Sequence, residues 1–251
     1  MLAIERRQKI VEFIQKDKKV YVANLSQLFD VTEETIRRDL EKLENENMLT
    51  RTYGGAVLNQ HTNEDLPFPT RKSINSELKQ KIALTAAHLI NNGTTIMMDT
   101  STTCLELMPL LQDKKDLTII TNSIKIPHDF SNSDFNIIST GGTLRAFSLA
   151  LVGSVAHNTL QNYHVDMTIM SCKGLSLDNG IMESNEPESE LKKTMVKQAE
   201  KIILLADHTK FNKTAFIKLF DFSYIDYIIT DCEPAANWMD LFKEHNIQVI
   251  Y

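Results

Sequence analysis

Between Val20 and Gly55 apolar residues recur at helical spacing in two short runs separated by a turn. Val22, Leu25, Leu28 and Phe29 make the first run, which Asp30-Val31 interrupts. Thr32 then has the side chain of an N-cap, and Glu33 and Glu34 fill the first turn, where the helix dipole favours negative charge. In this second helix Ile36, Leu40 and Leu43 share one stripe. At about 100° per residue Arg38 points away from that stripe, with Thr35 and Arg37 flanking it. A helix with a core-facing seam and outward arginines, docked through a tight turn on a shorter helix, predicts a helix-turn-helix reader of the major groove of double-stranded DNA. Residues 48–53 alternate like a strand, Gly54-Gly55 can turn tightly, and residues 56–58 can return. That predicts a β-wing, with Arg51 and Tyr53 near the phosphates. Upstream, Ile10, Val11, Phe13 and Ile14 give a first helix its buried side. The plainer alternative is a small helical bundle whose arginines are merely solvated.

Residues 59–69 lack apolar periodicity, carry two prolines, and read as an interdomain linker. A helical pattern returns over residues 78–90 (Ile82, Leu84, Ala86, Leu89) and stops at Asn91-Asn92-Gly93. Short Ile/Val/Met-rich runs follow at 95–98, 117–121, 135–139, 167–171, 202–206, 227–230 and 247–250, with helices between most of them, such as 188–199 and 234–245. That order predicts an α/β domain with a parallel sheet covered on both faces. In such a sheet the ligand site lies beyond the carboxyl ends of the strands. The first five ends read Asp99-Thr100-Ser101-Thr102-Thr103, Thr121-Asn122-Ser123, Ser139-Thr140-Gly141-Gly142-Thr143, Ser171-Cys172-Lys173-Gly174 and Asp207-His208-Thr209-Lys210. Hydroxyls, backbone N–H groups at helix starts and two lysines suit a phosphorylated, polyhydroxylated small molecule. The chain has only eight glycines, so Gly141, Gly142 and Gly174 at strand ends are expected to admit close approach of a ligand. Any one of these ends, taken alone, reads equally well as an N-cap or a solvated lysine.

A chain of 251 residues suits one small domain and one larger one. No apolar run approaches the roughly 20 residues of a membrane span, and the N-terminus carries no signal-peptide core, so a cytoplasmic protein is expected. Cys104, Cys172 and Cys232 are scattered without metal spacing and read as reduced thiols; the seven histidines form no such pair either, so no metal is expected. The net charge of -6 changes the picture once divided. Residues 1–58 carry ten basic and ten acidic side chains, so the remainder holds the whole deficit. A neutral reading head lacks a broad electrostatic pull on DNA and must lean on dimerisation and base contacts.

Three segments together resemble the N-terminal domain of the DeoR family of bacterial transcriptional repressors: Arg6-Arg7-Gln8-Lys9-Ile10, Thr35-Ile36-Arg37-Arg38-Asp39-Leu40 and Arg51-Thr52-Tyr53-Gly54-Gly55-Ala56. From about Arg71 to Tyr251 the chain is similar to the effector-sensing domain of that family, itself similar to sugar-phosphate isomerases such as ribose-5-phosphate isomerase. Asp99-Thr100-Ser101-Thr102-Thr103 matches the family's Asp-x-Gly/Ser-Thr-Thr phosphate loop, and Thr121-Asn122-Ser123, Gly141-Gly142 and residues 206–211 also match. The fourth strand end departs from the pattern, with Lys173 in Ser171-Cys172-Lys173-Gly174-Leu175 and Glu186 in Glu183-Ser184-Asn185-Glu186, which suggests a subgroup with its own effector. The resemblance implies a winged helix-turn-helix over 1–58 (helix-turn-helix about 20–39), a linker over 59–69 and an α/β effector-binding and oligomerisation domain over 70–251. It implies a homodimeric or larger repressor of a carbohydrate operon, bound to the nucleoid through its operator, released by a phosphorylated sugar and needing no cofactor. Thr32, Thr35, Arg37, Arg38, Arg51, Tyr53 and Gly54 are the expected DNA contacts. Asp99, Ser101, Thr102, Thr103, Thr121, Asn122, Ser123, Gly141, Gly142, Lys173, Glu186, Asp207 and Lys210 are the expected effector contacts. The competing class is a sugar-phosphate isomerase carrying a DNA-binding appendage. It would need a second catalytic carboxylate, and the acid-rich Asp-Gly-Ala-Asp-Glu type of loop follows none of the strands.

Overall fold

The computed structural model describes residues 2–45, 48–58 and 65–251. By their internal contacts they divide into two units, Met1–Ile74 and Asn75–Tyr251.

In the first unit α1 (Ala3–Asp17), β1 (Lys19–Tyr21), α2 (Val22–Phe29), α3 (Glu33–Asn45), β2 (Leu49–Thr52), β3 (Gly55–Leu58) and α4 (Phe68–Ser73) follow in order. The apolar stripes meet as their spacing requires: Ile10 and Ile14 of α1, Val22, Leu25 and Phe29 of α2, and Ile36, Leu40 and Leu43 of α3 share one core. Leu28, expected in that core, is instead 60% exposed. With Val22, Leu25 and Phe29 already buried, a fourth apolar position on so short a helix falls beyond the width of the stripe. A charge is also buried here: Arg6 Nε donates to Asp39 Oδ2 at 2.5 Å, joining α1 to α3. Of the expected linker, residues 59–64 lie outside the described residues, and α4 begins within the rest, with Phe68 buried.

The wing has three strands, in the order β1-β3-β2. β1, which the hydrophobic pattern does not reveal, pairs Tyr21 with Gly55. The two glycines of the turn therefore do different work. Gly54 has φ +82 and open space around it, whereas a Cβ on Gly55 would lie 2.1 Å from the Val20 carbonyl oxygen. Positive φ explains the first only; close approach of β1 explains the second. Gly55→Ala is expected to disrupt the wing and operator binding far more than Gly54→Ala, which meets backbone strain of about 1–2 kcal/mol. Thermal melts and DNA titrations of the two variants check the order; equal damage would refute it.

The second unit comprises α5 (Ser76–Ala87), β4 (Thr95–Met98), α6 (Thr102–Leu107), β5 (Thr118–Thr121), α7 (Lys125–Asp129), β6 (Asn136–Ser139), β7 (Thr143–Arg145), β8 (Ala150–Val152), α8 (Ser154–Gln161), β9 (Val165–Ser171), β10 (Gly174–Ser176), β11 (Gly180–Glu183), α9 (Glu186–Lys197), β12 (Ala199–Leu205), β13 (Ile217–Phe220), β14 (Tyr227–Ile229), α10 (Ala236–Glu244) and β15 (Gln248–Ile250). All seven expected strands join one parallel sheet, ordered β15-β14-β12-β9-β4-β5-β6. Its central strands are buried on both faces (Met97 and Met98, Ile119 and Ile120, Ile169 and Met170, Ile203 and Leu204), which is why they read as unbroken apolar runs. On α5 the buried side is Ile82, Ala83 and Ala86; Leu84, expected inside, is 54% exposed, and Leu89, expected on the same helix, lies past its end at Ala87 and is only half-buried. Two small antiparallel additions were not evident in the pattern: the hairpin β7–β8 and the sheet β10-β11-β13. Among the described residues no helix is long and apolar enough to cross a membrane.

Candidate functional site

On the reading head, Thr32 Oγ1 accepts from the Thr35 backbone N–H at 3.3 Å, and the two hydroxyls lie 2.9 Å apart, so both threonines build the entry to α3. Past that turn Arg37 and Arg38 project to solvent, and each pairs with the acid four residues earlier: Arg37 with Glu33 at 2.5 Å and Arg38 with Glu34 at 3.2 Å. Arg51 is tied twice to Glu44, from its backbone N–H at 2.8 Å and from Nε at 2.6 Å, and this holds Glu44 below the usual carboxylate range. The expected phosphate-contacting arginine is thus also the strut between α3 and the wing. Exposed pairs of this kind are screened by water and contribute little, so a phosphate can replace the carboxylate. A cleft of 540 Å³ between α3 and the wing is lined by Arg37, Glu44, Arg51, Tyr53 and Gly54 among others, and Tyr53 is fully exposed at its rim.

At the carboxyl ends of the sheet, the loop after β4 is organised by its own first residue. Asp99 is buried; its carboxylate accepts from the Ser101 N–H at 2.9 Å and, across the sheet, from the Ser171 N–H at 3.1 Å. Lys192 of α9 reaches in among the same strand ends, with Nζ 3.1 Å from Asp99, 2.5 Å from Glu183 and 2.8 Å from the Ser171 carbonyl oxygen. Burial alone would raise both carboxylic acids, but the Lys192 ammonium and the hydrogen bonds they accept hold Asp99 and Glu183 below the usual range. Cys172, the residue after β9, is buried, and burial pushes its thiol up to about 12, with the charges of Lys210, Glu183, Lys192 and Asp207 acting on it less strongly. The thiol stays protonated at neutral pH and is no nucleophile.

Several expected contacts carry structural duties. Ser101 caps α6 by accepting from the Cys104 N–H, and Thr102 and Thr103 are buried in the first turn of that helix. Thr121 Oγ1 donates to the Met98 carbonyl oxygen at 2.7 Å and accepts from the Ser123 N–H; Ser123 Oγ in turn accepts from the Lys125 and Ile126 N–H groups. Asp207 accepts from the Thr209 backbone and hydroxyl, closing its own turn. The glycines differ from expectation. A Cβ on Gly142 would lie 2.6 Å from the Val152 carbonyl oxygen, and one on Gly174 would lie 2.5 Å from that of Lys213, so their room is taken by the chain's own backbone rather than kept for a ligand. Gly141 has φ +65 and only Val155 nearby. Glu186 is exposed at the start of α9, and the buried acids of this region are Glu183 and Glu188. Lys173 is half-buried just before β10. Lys192 was missed because a lysine beside Lys193 on an amphipathic helix reads as solvated; only the fold shows which way it points. The fold also brings together His208, Asp231 and Cys232, which no spacing suggests, with their donor atoms within 4.8 Å of one another. Both Asp231 oxygens accept from His208, from its backbone N–H and from its ring, each at 2.6 Å.

Residues 6–62 match the DeoR-like helix-turn-helix domain and residues 74–232 the DeoR C terminal sensor domain. The chain belongs to the DeoR family. It is 42% identical over 239 residues to the uncharacterized HTH-type transcriptional regulator YulB of Bacillus subtilis, covering 94% of this chain and 92% of that one. It is 31% identical to the putative aga operon transcriptional repressor of Escherichia coli O157:H7 (98% and 93% covered) and 35% identical to the L-fucose operon activator of Haemophilus influenzae (98% and 98%). Among solved structures, ribose 5-phosphate isomerase A of Methanocaldococcus jannaschii aligns over 55% of each chain at 16% identity with a TM-score of 0.41. The DeoR-family chain is a DNA-binding transcriptional regulator whose relatives are regulators, not enzymes.

Proposed function

We propose that this DeoR-family chain represses a carbohydrate-metabolism operon, binding double-stranded operator DNA as a homodimer or larger homo-oligomer and leaving it when a phosphorylated sugar binds the sensor domain. The observation that carries the reading is the meeting of the strand ends, where buried Asp99 accepts from Ser101 of its own loop and from Ser171 of β9 while Lys192 is bonded to both Asp99 and the Ser171 carbonyl oxygen. The aga relative, named a repressor, supports the sign of regulation. Oligomerisation follows from affinity: one neutral winged head contacts few bases, and paired half-sites multiply its binding. By linkage, whatever the sugar phosphate subtracts from operator affinity the operator subtracts from sugar-phosphate affinity, and a coupling of about 1–3 kcal/mol gives roughly 5–150-fold release. No resident cofactor or metal is required. Operator titrations with a panel of phosphorylated and free sugars test the proposal. Weakened operator binding by one phosphorylated sugar, with no turnover of it, is the expected result; indifference to every sugar sinks it. Tighter binding in its presence would support a second reading, activation, which the fucose relative's name motivates.

The reading head makes its own prediction. Arg38→Ala is expected to weaken operator binding by about 1–3 kcal/mol and relax specificity at one base pair. Arg37→Ala and Arg51→Ala should instead weaken binding to all sequences and flatten the salt dependence, as lost phosphate contacts do. Folding of Arg38→Ala should be unchanged, since the side chain stands in solvent opposite the Ile36/Leu40/Leu43 seam. Wild-type affinity in that variant would refute the placement of α3.

A further inference from the structure

Two oxygens in the sensor domain are sealed from solvent without a hydrogen-bond partner among the described residues, Asn122 Oδ1 and Ser148 Oγ. Buried polar groups are almost always paired, because an unpaired one loses its hydration and gains nothing in return. Both belong to one small construction. The segment between Gly142 (φ +111) and Gly153 (φ +91) folds as the β7–β8 hairpin and is laced to the ends of β4 and β5. The Leu151 N–H donates to the Asn122 carbonyl oxygen at 2.7 Å, the Ile124 N–H to the Leu149 carbonyl oxygen at 3.1 Å, and Thr100 Oγ1 to the Ser148 carbonyl oxygen at 3.3 Å. Asn122 also has its amide N–H side occupied, by the Leu151 carbonyl oxygen at 3.4 Å, which fixes Oδ1 as the end left over. Ser148 therefore sits one hydrogen bond from the Asp99–Thr103 loop, and the Arg145–Glu188 pair at 3.2 Å pins the same hairpin to α9.

We propose that Asn122 Oδ1 and Ser148 Oγ are a hydroxyl-reading pair in the effector site, beneath the β7–β8 hairpin, for a ligand that presents hydroxyl groups beside its phosphate. The inference rests on the proposed effector site and adds to it a residue, Ser148, and a chemical requirement. An amide oxygen can only accept, and a serine hydroxyl can both accept and donate. A phosphomonoester dianion or a carboxylate, having acceptors alone, leaves Asn122 Oδ1 unsatisfied. A polyol phosphate satisfies both oxygens with its O–H groups.

The test uses the full chain and titration calorimetry with a panel of polyol and sugar phosphates, their single-deoxy analogues, and inorganic phosphate. In the wild type the panel is expected to yield a binder far tighter than inorganic phosphate, and one deoxy analogue of it should bind roughly 3–10-fold more weakly. Ser148→Ala should lose the same factor for the parent ligand and nothing further for that analogue, the mark of a direct contact in a double-change cycle. The free variant should melt no lower than the wild type, since an orphaned hydroxyl replaced by a methyl leaves nothing unpaired. Unchanged ligand affinity in Ser148→Ala, or additive losses with every deoxy analogue, would overturn the pair, as would a melting temperature lowered in the free variant with ligand affinity intact. A wild type that binds no phosphorylated polyol would overturn the effector reading itself, a separate outcome.

Discussion

Replacing Lys192 by methionine is expected to destabilise the sensor unit by about 3–5 kcal/mol at neutral pH, the usual cost of removing one partner from a buried ion pair. Methionine keeps most of the stem's volume, so the loss is electrostatic. The ammonium is bonded to Glu183, Asp99 and the Ser171 carbonyl oxygen with its side chain only 6% exposed, and its removal leaves two carboxylates facing each other out of water. The pH dependence gives the argument a sign. In the wild type Asp99 and Glu183 are lowered relative to unfolded values of about 3.9 and 4.3, so their stabilisation is fully present above that range and is lost as pH falls through the lower folded values. Lys192 is raised, so its contribution is present below about 10.4 and fails only in stronger alkali. In the variant the orphaned carboxylic acids should be raised instead, so that acidification from neutrality stabilises it. The gap between the two proteins should therefore close as pH falls toward 4. The chain has one tryptophan, Trp238, buried on α10 in the sensor unit, so its fluorescence in urea follows this unit alone. A gap that is absent at neutral pH, or that widens on acidification, would show that the triad does not hold the strand ends.

What the sequence revealed and what it concealed divide along physical lines. The seven parallel strands were legible because burial on both faces demands unbroken Ile, Val, Leu and Met, and no surface pattern imitates that. The α3 stripe was legible because Ile36, Leu40 and Leu43 leave only one face for Arg38. Short antiparallel pieces were not. β7 is three residues long, Thr143–Arg145, with none of them fully buried, and β1 consists of Lys19, Val20 and Tyr21 with only Val20 inside. Three residues are too few for a period, and both strands exist because a partner across space supplies their hydrogen bonds. Buried charges were hidden for a related reason. Asp39 and Lys192 sit on helices rich in exposed charge, and nothing local distinguishes a lysine that reaches inward from Lys193 beside it. The candidate site was therefore legible as a set of strand ends, while the cation that draws two of those ends together was not. The glycines were misread similarly: composition can say that a Cβ is unwelcome at Gly142, but not that the obstacle is Val152.

Asp39→Ala should abolish operator binding by unfolding the reading head rather than by removing a contact with DNA. Asp39 accepts from Arg6 at 2.5 Å and from Arg7 at 3.5 Å, with the Asp39 and Arg6 side chains 6% and 8% exposed. Truncating the acid strands a guanidinium in the seam between α1 and α3, again at a cost of about 3–5 kcal/mol. The unit that must absorb this loss ends at Ile74, and small units bury proportionately less surface and carry little stability to spare. Helical signal should fall at a temperature where the wild type is intact, while the Trp238 transition and sugar-phosphate binding remain as they were. The paired change Arg6→Leu with Asp39→Leu removes both charges together and should recover much of the lost stability, since a buried ion pair is often replaceable by well-packed apolar side chains. Operator binding should return with it, because neither side chain faces the DNA in this placement of α3. That recovery separates a structural acid from a reading one: an unchanged melt with lost binding in Asp39→Ala, or binding that stays lost in the refolded double variant, would move Asp39 to the DNA interface.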